Sequence, residues 1–570
     1  MAELMNDGPI IRTGDGGARQ GGADLWCTYA AVRTLTWLGR RPRNVDACVT
    51  ALMSCQNNDG GFAWQRGLPS DIWATYYCTQ ALHDLGAAVP RRDELTHWLA
   101  TLQHHTGGFA MMPGQNPDVW ATYYALRTTR EILGVEPGDR ETLRTWLAGL
   151  QHADGGLGWY PGATEPDVRA CYYGAMAWRA AFGATAAPWT SELVSWINKR
   201  QAPSGGFRFF ARSAAPCLWA TFRAVRALDA LGVRPDRTQD CVDWIATRAR
   251  PEGYTRWDDY LTADVWAAFS AVGALQTLRA PVPSADSVAG FLDRCELPEG
   301  GFTYREVATA GDSLATAAAL LIESARNGAD AAGDSYADWL VGAHLPYEGG
   351  VMYMPGRGAE VRCTLWAVSA LRAAGRKLPE AERIVNWCRR IQNSDGGFGY
   401  WEGRGSDMVA TASAVEALTE IGSPVEVLDT GQLRAFVASC AMSQGYRHTP
   451  DGPATCAATA QAARILGLLG DYEAAARAAG QLDGFASRLG GYASGPRGLP
   501  DLVSTYQAVL AQQALGRPVD NEGLSRFLAK IRTVPEGFAW GPLSRQSGGV
   551  LATALGTRLA GEAPLPRLNL

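Results

Sequence analysis

No stretch of this 570-residue chain has the roughly 18 consecutive apolar residues that a membrane span requires. Residues 1–22 are Gly-rich and polar without an apolar run, which excludes an ordinary secretory signal, so the expected location is cytoplasmic. The basic residues are nearly all Arg and are scattered, and the formal charge is only -5. There is thus no positive stripe to hold a phosphate backbone, and nucleic acid is excluded as a partner. Cysteine is sparse for the length: the twelve fall singly, as at Cys27, Cys55, Cys78, Cys171, Cys295 and Cys388, without a Cys-x-x-Cys pair, which leaves reduced thiols in a core. Strand-type alternation is missing outside a few short loops.

What the chain does have is a repeat. The stretch GGFAMMPGQNPDVWATYYALRTTREILG, from Gly107 to Gly134, joins a Gly-Gly-aromatic loop to an apolar helical segment that opens on a capping residue, Asp118, and stops at a Gly. Copies in this register begin at Asp24, Asp71, Asp118, Asp167, Cys217, Asp264, Asp312, Glu360, Asp407, Ala454, Asp501 and Gly549, spaced by about 47 to 50 residues. Between them lie second segments such as ETLRTWLAGLQ, from Glu141 to Gln151, that carry charge on one side only. Each unit is therefore a helical hairpin.

A helix apolar on nearly every face is buried, and one with a polar stripe faces water. Inner helices this apolar do not suit the exposed concave face of an open solenoid. The expected fold is all-α: two closed (α/α)6 barrels built from twelve hairpins. Residues 1–22 form a flexible N-terminus, residues 23–297 the first barrel and residues 298–570 the second. Because the chain opens and closes on an inner helix, the first of these could instead close the second barrel. Fifteen of the 20 Trp precede Ala285, so the two barrels have diverged in what they hold. Two places past the cap, the first six copies carry Trp26, Trp73, Trp120, Arg169, Trp219 and Trp266, whereas the last six carry Leu314, Arg362, Val409, Cys456, Val503 and Leu551.

The loops Gln56-Asn57-Asn58-Asp59-Gly60-Gly61-Phe62 and Gln392-Asn393-Ser394-Asp395-Gly396-Gly397-Phe398, each feeding an inner helix, resemble the Q-W repeats of squalene-hopene cyclases and class II diterpene cyclases. The loop from Gly107 to Val119 is similar to those of protein prenyltransferase β subunits. The resemblance spans almost the whole chain and implies α/α barrels with an isoprenoid-binding interior. It also implies where an acid would stand: in the cyclases an Asp-x-Asp-Asp-Thr-Ala motif opens an inner helix, and its central Asp protonates an alkene or epoxide. The matching stretch here is Asp312-Ser313-Leu314-Ala315-Thr316-Ala317, with Leu314 at the proton-donating position. The Asp-x-Cys and His set that holds zinc in the prenyltransferases is absent, so no zinc is expected. Mg2+ would enter only with a diphosphate substrate.

Site candidates follow from the repeat register. Trp73, Trp120, Trp219 and Trp266 are expected to face the barrel lumen, where indole faces stabilise a cation, although bulky rings could equally fill an empty barrel. Arg169, a cation among them, needs an anion such as a diphosphate or a carboxylate. Asp258 and Asp259 stand side by side before an inner helix, where mutual repulsion could raise one pKa enough to make a general acid, and a solvated loop is the bland alternative. Asp312 is taken mainly as a helix cap. The reading that follows is a terpenoid cyclase-like isomerase or lyase that acts on an isoprenoid by protonation and cation-olefin cyclisation, with the usual acid motif degenerate. A non-catalytic isoprenoid carrier or scaffold and a prenyltransferase β-like subunit are the alternatives. The substrate class leaves room for peripheral membrane contact, and oligomeric state is not legible.

Overall fold

The computed structural model describes residues 10–12, 14, 16, 18–20, 23–64, 69–113, 115–163, 165–211, 213, 215–258, 260–306, 310–327, 334–345, 347–354, 357–402, 404–450, 452–533, 537–543, 549–561 and 564–570. They form two compact units, one of residues 23–306 and one that joins residues 10–20 to residues 310–570.

In the first unit the inner helices are Leu25–Trp37, Ile72–Asp84, Val119–Leu126, Val168–Phe182, Leu218–Ala230 and Val265–Leu278. Each packs on the next, and the last packs back on the first, which closes the ring. In Val265–Leu278 nearly every residue is buried, as expected of a helix apolar all round. Outer helices such as Arg140–Ala148 bury one stripe only, here Leu143, Trp146 and Leu147. The second unit repeats the plan with inner helices Ser313–Asn327, Val361–Ala373, Met408–Glu420, Cys456–Leu468, Leu502–Ala514 and Gly549–Leu559, the first and last again in contact. What sheet there is consists of short antiparallel ladders, such as Ala249–Arg250 against Gly253–Tyr254. The all-α toroid expected from the repeat is the fold observed.

One hydrogen bond holds loop to helix in most repeats. The backbone N–H of Phe62, Phe109, Phe207, Val351, Phe398 and Tyr492 donates to Oγ1 of Thr75, Thr122, Thr221, Thr364, Thr411 and Thr505 respectively, at 2.9 to 3.0 Å. The same lock moves the division between units. Phe302 N–H donates to Thr28 Oγ1 at 2.9 Å, and Asp24 N–H donates to the Phe302 carbonyl at 3.0 Å, so the loop after residue 297 belongs to the first ring. The second ring then lacks a loop before Ser313–Asn327, and the N-terminal hairpin Ile10–Arg12 and Ala18–Gln20 supplies it. Ala18 N–H donates to Thr316 Oγ1 at 2.9 Å. The described residues of this segment are therefore part of the second unit, in place of the flexible terminus expected for residues 1–22. At the tenth repeat the cap is Thr455 rather than Ala454, since Thr455 Oγ1 accepts from Ala458 N–H at 3.1 Å.

In most Gly-Gly loops the first Gly sits too close to an outer helix for any side chain. A Cβ at Gly205, whose φ is +103°, would lie 2.1 Å from the Asp240 carbonyl oxygen. Backbone cannot yield as a flexible side chain can, so Gly205→Ala is expected to cost about 2 to 4 kcal/mol. Urea denaturation would show this as a lower midpoint at unchanged slope, and a midpoint equal to that of the parent chain would refute it.

Candidate functional site

The caps set the geometry of the first ring's N-terminal mouth. Asp71, Asp118 and Asp264 are extended and accept the N–H of Ala74, Ala121 and Ala267 at 2.8 to 2.9 Å, which fixes the first turn and the direction of the residue two places on. The residues at that offset assemble into an aromatic tier. Trp73 and Trp120 have centroids 4.4 Å apart, Trp26 stacks on Trp266 at 4.2 Å, and Trp219 lies 5.7 Å from Trp26 and 6.1 Å from Trp266. Trp73, Arg169 and Trp219 are half-buried, and Trp26, Trp120 and Trp266 are buried. The buried indole N–H groups of Trp219 and Trp266 meet no acceptor among the described residues.

Below the tier, tyrosines pack the waist of the ring. Tyr29 stacks on Tyr77 at 4.3 Å and Tyr76 on Tyr124 at 4.9 Å, while the hydroxyls of Tyr123 and Tyr172 are 2.7 Å apart. The guanidinium of Arg127, buried here, donates to the Tyr123 hydroxyl at 3.0 Å and to Glu131 at 2.6 Å.

Matches to the model of the prenyltransferase alpha-alpha toroid domain fall at residues 6–71, 65–187, 179–359, 352–479 and 442–560. The chain belongs to the prenyltransferase alpha-alpha toroid family. No curated protein matches it. Similar solved structures include the Candida albicans protein geranylgeranyltransferase-I complexed with GGPP, at 12% identity over 47% of this chain and 90% of that one, with a TM-score of 0.38. A type II terpene cyclase from Scytonema is 17% identical over 46% of this chain and 88% of its own, with a TM-score of 0.34. The ent-copalyl diphosphate synthase from Streptomyces platensis is 15% identical over 83% of this chain and 98% of its own, with a TM-score of 0.33.

Within this toroid the charged candidates separate by their partners. Arg169 needs no outside anion: its guanidinium donates to both oxygens of its own cap, Asp167, at 3.3 and 3.1 Å, and Trp159 Nε1 donates to the same carboxylate at 2.9 Å. Asp258 is close to half exposed and ion-paired with Arg248, so it lacks the burial sought in an acid that faces a water-free lumen. Asp259 lies outside the described residues. Asp312 is half-buried and accepts from Ala315 N–H at 2.8 Å, as a cap does.

A different carboxyl has the properties sought. Asp264 is 1% exposed; one oxygen accepts from Trp266 N–H at 2.8 Å and Ala267 N–H at 2.9 Å, and the other has no hydrogen-bond partner among the described residues. Burial lifts its pKa to about 7 against the opposing pull of those N–H groups and of Arg256. Burial also raises Asp71 to about 7, and Asp407 in the second unit to about 6. Arg256 stands near Asp264 with its guanidinium 4.5 Å from the Trp219 ring and 4.1 Å from that of Trp257.

Sequence reasoning missed Trp64, Trp159 and Arg256, and a signal for them existed. Each lies two residues past the aromatic or aliphatic residue of a Gly-Gly or Gly-aromatic loop. The carbonyls of Trp159 and Arg256 accept the first N–H of the helices Val119–Leu126 and Leu218–Ala230 at 2.8 and 3.0 Å, so this offset also faces the mouth. In the second unit the corresponding helix positions are aliphatic, with Ala457 replacing Cys456 once Thr455 is taken as the cap. The exception, Arg362, is paired with Glu360 at 3.1 Å. Among the described residues no three His, Cys, Asp or Glu side chains group as a metal site would require.

Proposed function

We propose that this toroid protein is a terpenoid cyclase of the class II type, with Asp264 as proton donor and the indoles of Trp26, Trp73, Trp120, Trp219 and Trp266 as the surface that stabilises the cation. The observation that carries this reading is the Asp264 carboxyl: buried, without a hydrogen-bond partner at one oxygen among the described residues and, near neutral pH, substantially protonated beside an aromatic tier. In the step proposed, the carboxyl O–H bond breaks as its proton forms a C–H bond on an alkene carbon. The resulting tertiary cation is attacked by a second alkene, and loss of a proton to water restores neutrality, so the product is an isomer of the substrate. Indole faces at close range lower the energy of such a cation by roughly 0.5 to 2 kcal/mol each.

The substrate class is an isoprenoid, with Mg2+ required only if it carries a diphosphate. Incubation with prenyl diphosphates of increasing length and with squalene, followed by product analysis, tests the reading. Cyclised isomers lost in Asp264→Asn are expected. The tyrosine-packed waist favours a second reading, a scaffold that converts nothing, and absence of product from every substrate would support it. Elemental analysis is expected to find no stoichiometric zinc; one zinc per chain would turn the assignment toward a prenyltransferase subunit.

A further inference from the structure

The lumen of the second toroid is occupied by the chain itself. Residues 564–570, Pro-Leu-Pro-Arg-Leu-Asn-Leu, enter beside the C-terminal ends of the inner helices and run inward. Leu565 N–H donates to Gln513 Oε1 at 3.3 Å and Gln507 Nε2 donates to the Leu568 carbonyl at 2.6 Å, so on the helix Leu502–Ala514 alone the segment descends six residues, about 9 Å at roughly 1.5 Å per residue. Leu568 and Asn569 are fully buried.

The manner of holding separates this segment from ordinary core. Side chains of two helices, Leu502–Ala514 and Val361–Ala373, grip consecutive main-chain carbonyls: Tyr506 that of Pro566 at 2.7 Å, Ser369 that of Arg567 at 2.8 Å, Gln507 that of Leu568, and Trp366 that of Asn569 at 2.8 Å. One side chain is read in detail. Asn569 Oδ1 accepts from Arg464 at 2.8 Å and its Nδ2 donates to Glu416 at 2.9 Å, while Arg464 and Glu416 are themselves paired at 2.7 Å. Donors aimed at backbone carbonyls recognise an extended peptide, and a buried ion pair completed by one amide selects its residue.

We infer that the second toroid is a peptide-binding site, filled in cis by residues 564–570, with selectivity for Asn at the position of Asn569. This goes beyond the cyclase reading and does not rest on it. The test removes residues 562–570 and measures, by fluorescence anisotropy, binding of a labelled peptide of residues 564–570. Saturable binding to the truncated chain, at least tenfold weaker for the peptide carrying Asn569→Ala and absent with the full chain, is expected. A folded truncated chain that binds neither peptide, or binds both equally, would overturn the inference. If truncation prevents folding, refolding is repeated with peptide present: recovery specific to the Asn peptide supports the site, and failure to recover assigns the segment to the core.

Discussion

Asp264→Asn is expected to abolish turnover and, at pH 8, to leave the protein at least as stable as the parent. Asn keeps the capping oxygen for Trp266 and Ala267 N–H, being about as good a cap as Asp, but has no acid proton to give. The stability follows from linkage. The folded-state pKa of about 7 lies above the ordinary 3.8, so the folded form holds a proton that the unfolded form has released. Below about pH 4 both forms are protonated and the group contributes nothing. As pH rises toward 7 the folded state is progressively disfavoured, by an amount approaching about 4 kcal/mol. The substitution removes that penalty, so the difference in melting temperature grows between pH 4 and pH 7 and is level above it. Turnover of the parent chain is expected to fall as pH rises through about 7, where the proton is lost. Asp258→Asn, at the exposed pair with Arg248, is expected to keep full turnover. If Asp264→Asn is active, or if its melting temperature drops at pH 8, Asp264 is not a neutral buried acid.

The indoles divide into two groups by what surrounds them. Trp120 is buried against Trp73, Tyr124, Trp159 and Tyr173, so Trp120→Ala empties a packed volume and is expected to cost about 3 to 5 kcal/mol of stability. Trp219 is half-buried, and the Arg256 guanidinium covers its ring at 4.5 Å. Trp219→Ala is expected to leave a cooperative unfolding transition, lower turnover by about 2- to 30-fold and shift the product mixture, the range corresponding to one indole face on a cation. Calorimetry of both variants beside product analysis separates the roles. Unchanged rate and products in a folded Trp219→Ala would place this indole among the filling side chains.

Much of this architecture is written locally. A capping Asp, a stop Gly and apolar faces all round are enough to give each inner helix, and their recurrence gives the toroid. Ring closure is not local: Phe302 on Thr28 and Ala18 on Thr316 each join residues about half the chain apart, so neither the unit boundary beyond residue 297 nor the docking of the N-terminal hairpin is written in any one repeat. The proposed acid was hidden for another reason. Asp167 and Asp264 are the same residue at the same offset, and each caps its helix. What separates their contacts is the side chain two places on: Arg169 donates to both oxygens of Asp167, while Trp266 offers Asp264 only its backbone N–H. That contrast was present in the sequence. The depth of burial that raises the Asp264 pKa arises only when distant repeats meet, whereas the Arg248–Asp258 pair is local, formed across one short hairpin.

The proposed chemistry transfers a proton of solvent origin to carbon and keeps it there, so the most direct measurement is turnover in D2O with mass analysis of the product. A cyclised isomer of the substrate with one non-exchangeable deuterium, formed by the parent chain and not by Asp264→Asn, is the predicted result. A product free of deuterium, or one that has lost its diphosphate in place of gaining a proton, would contradict protonation as the initiating step.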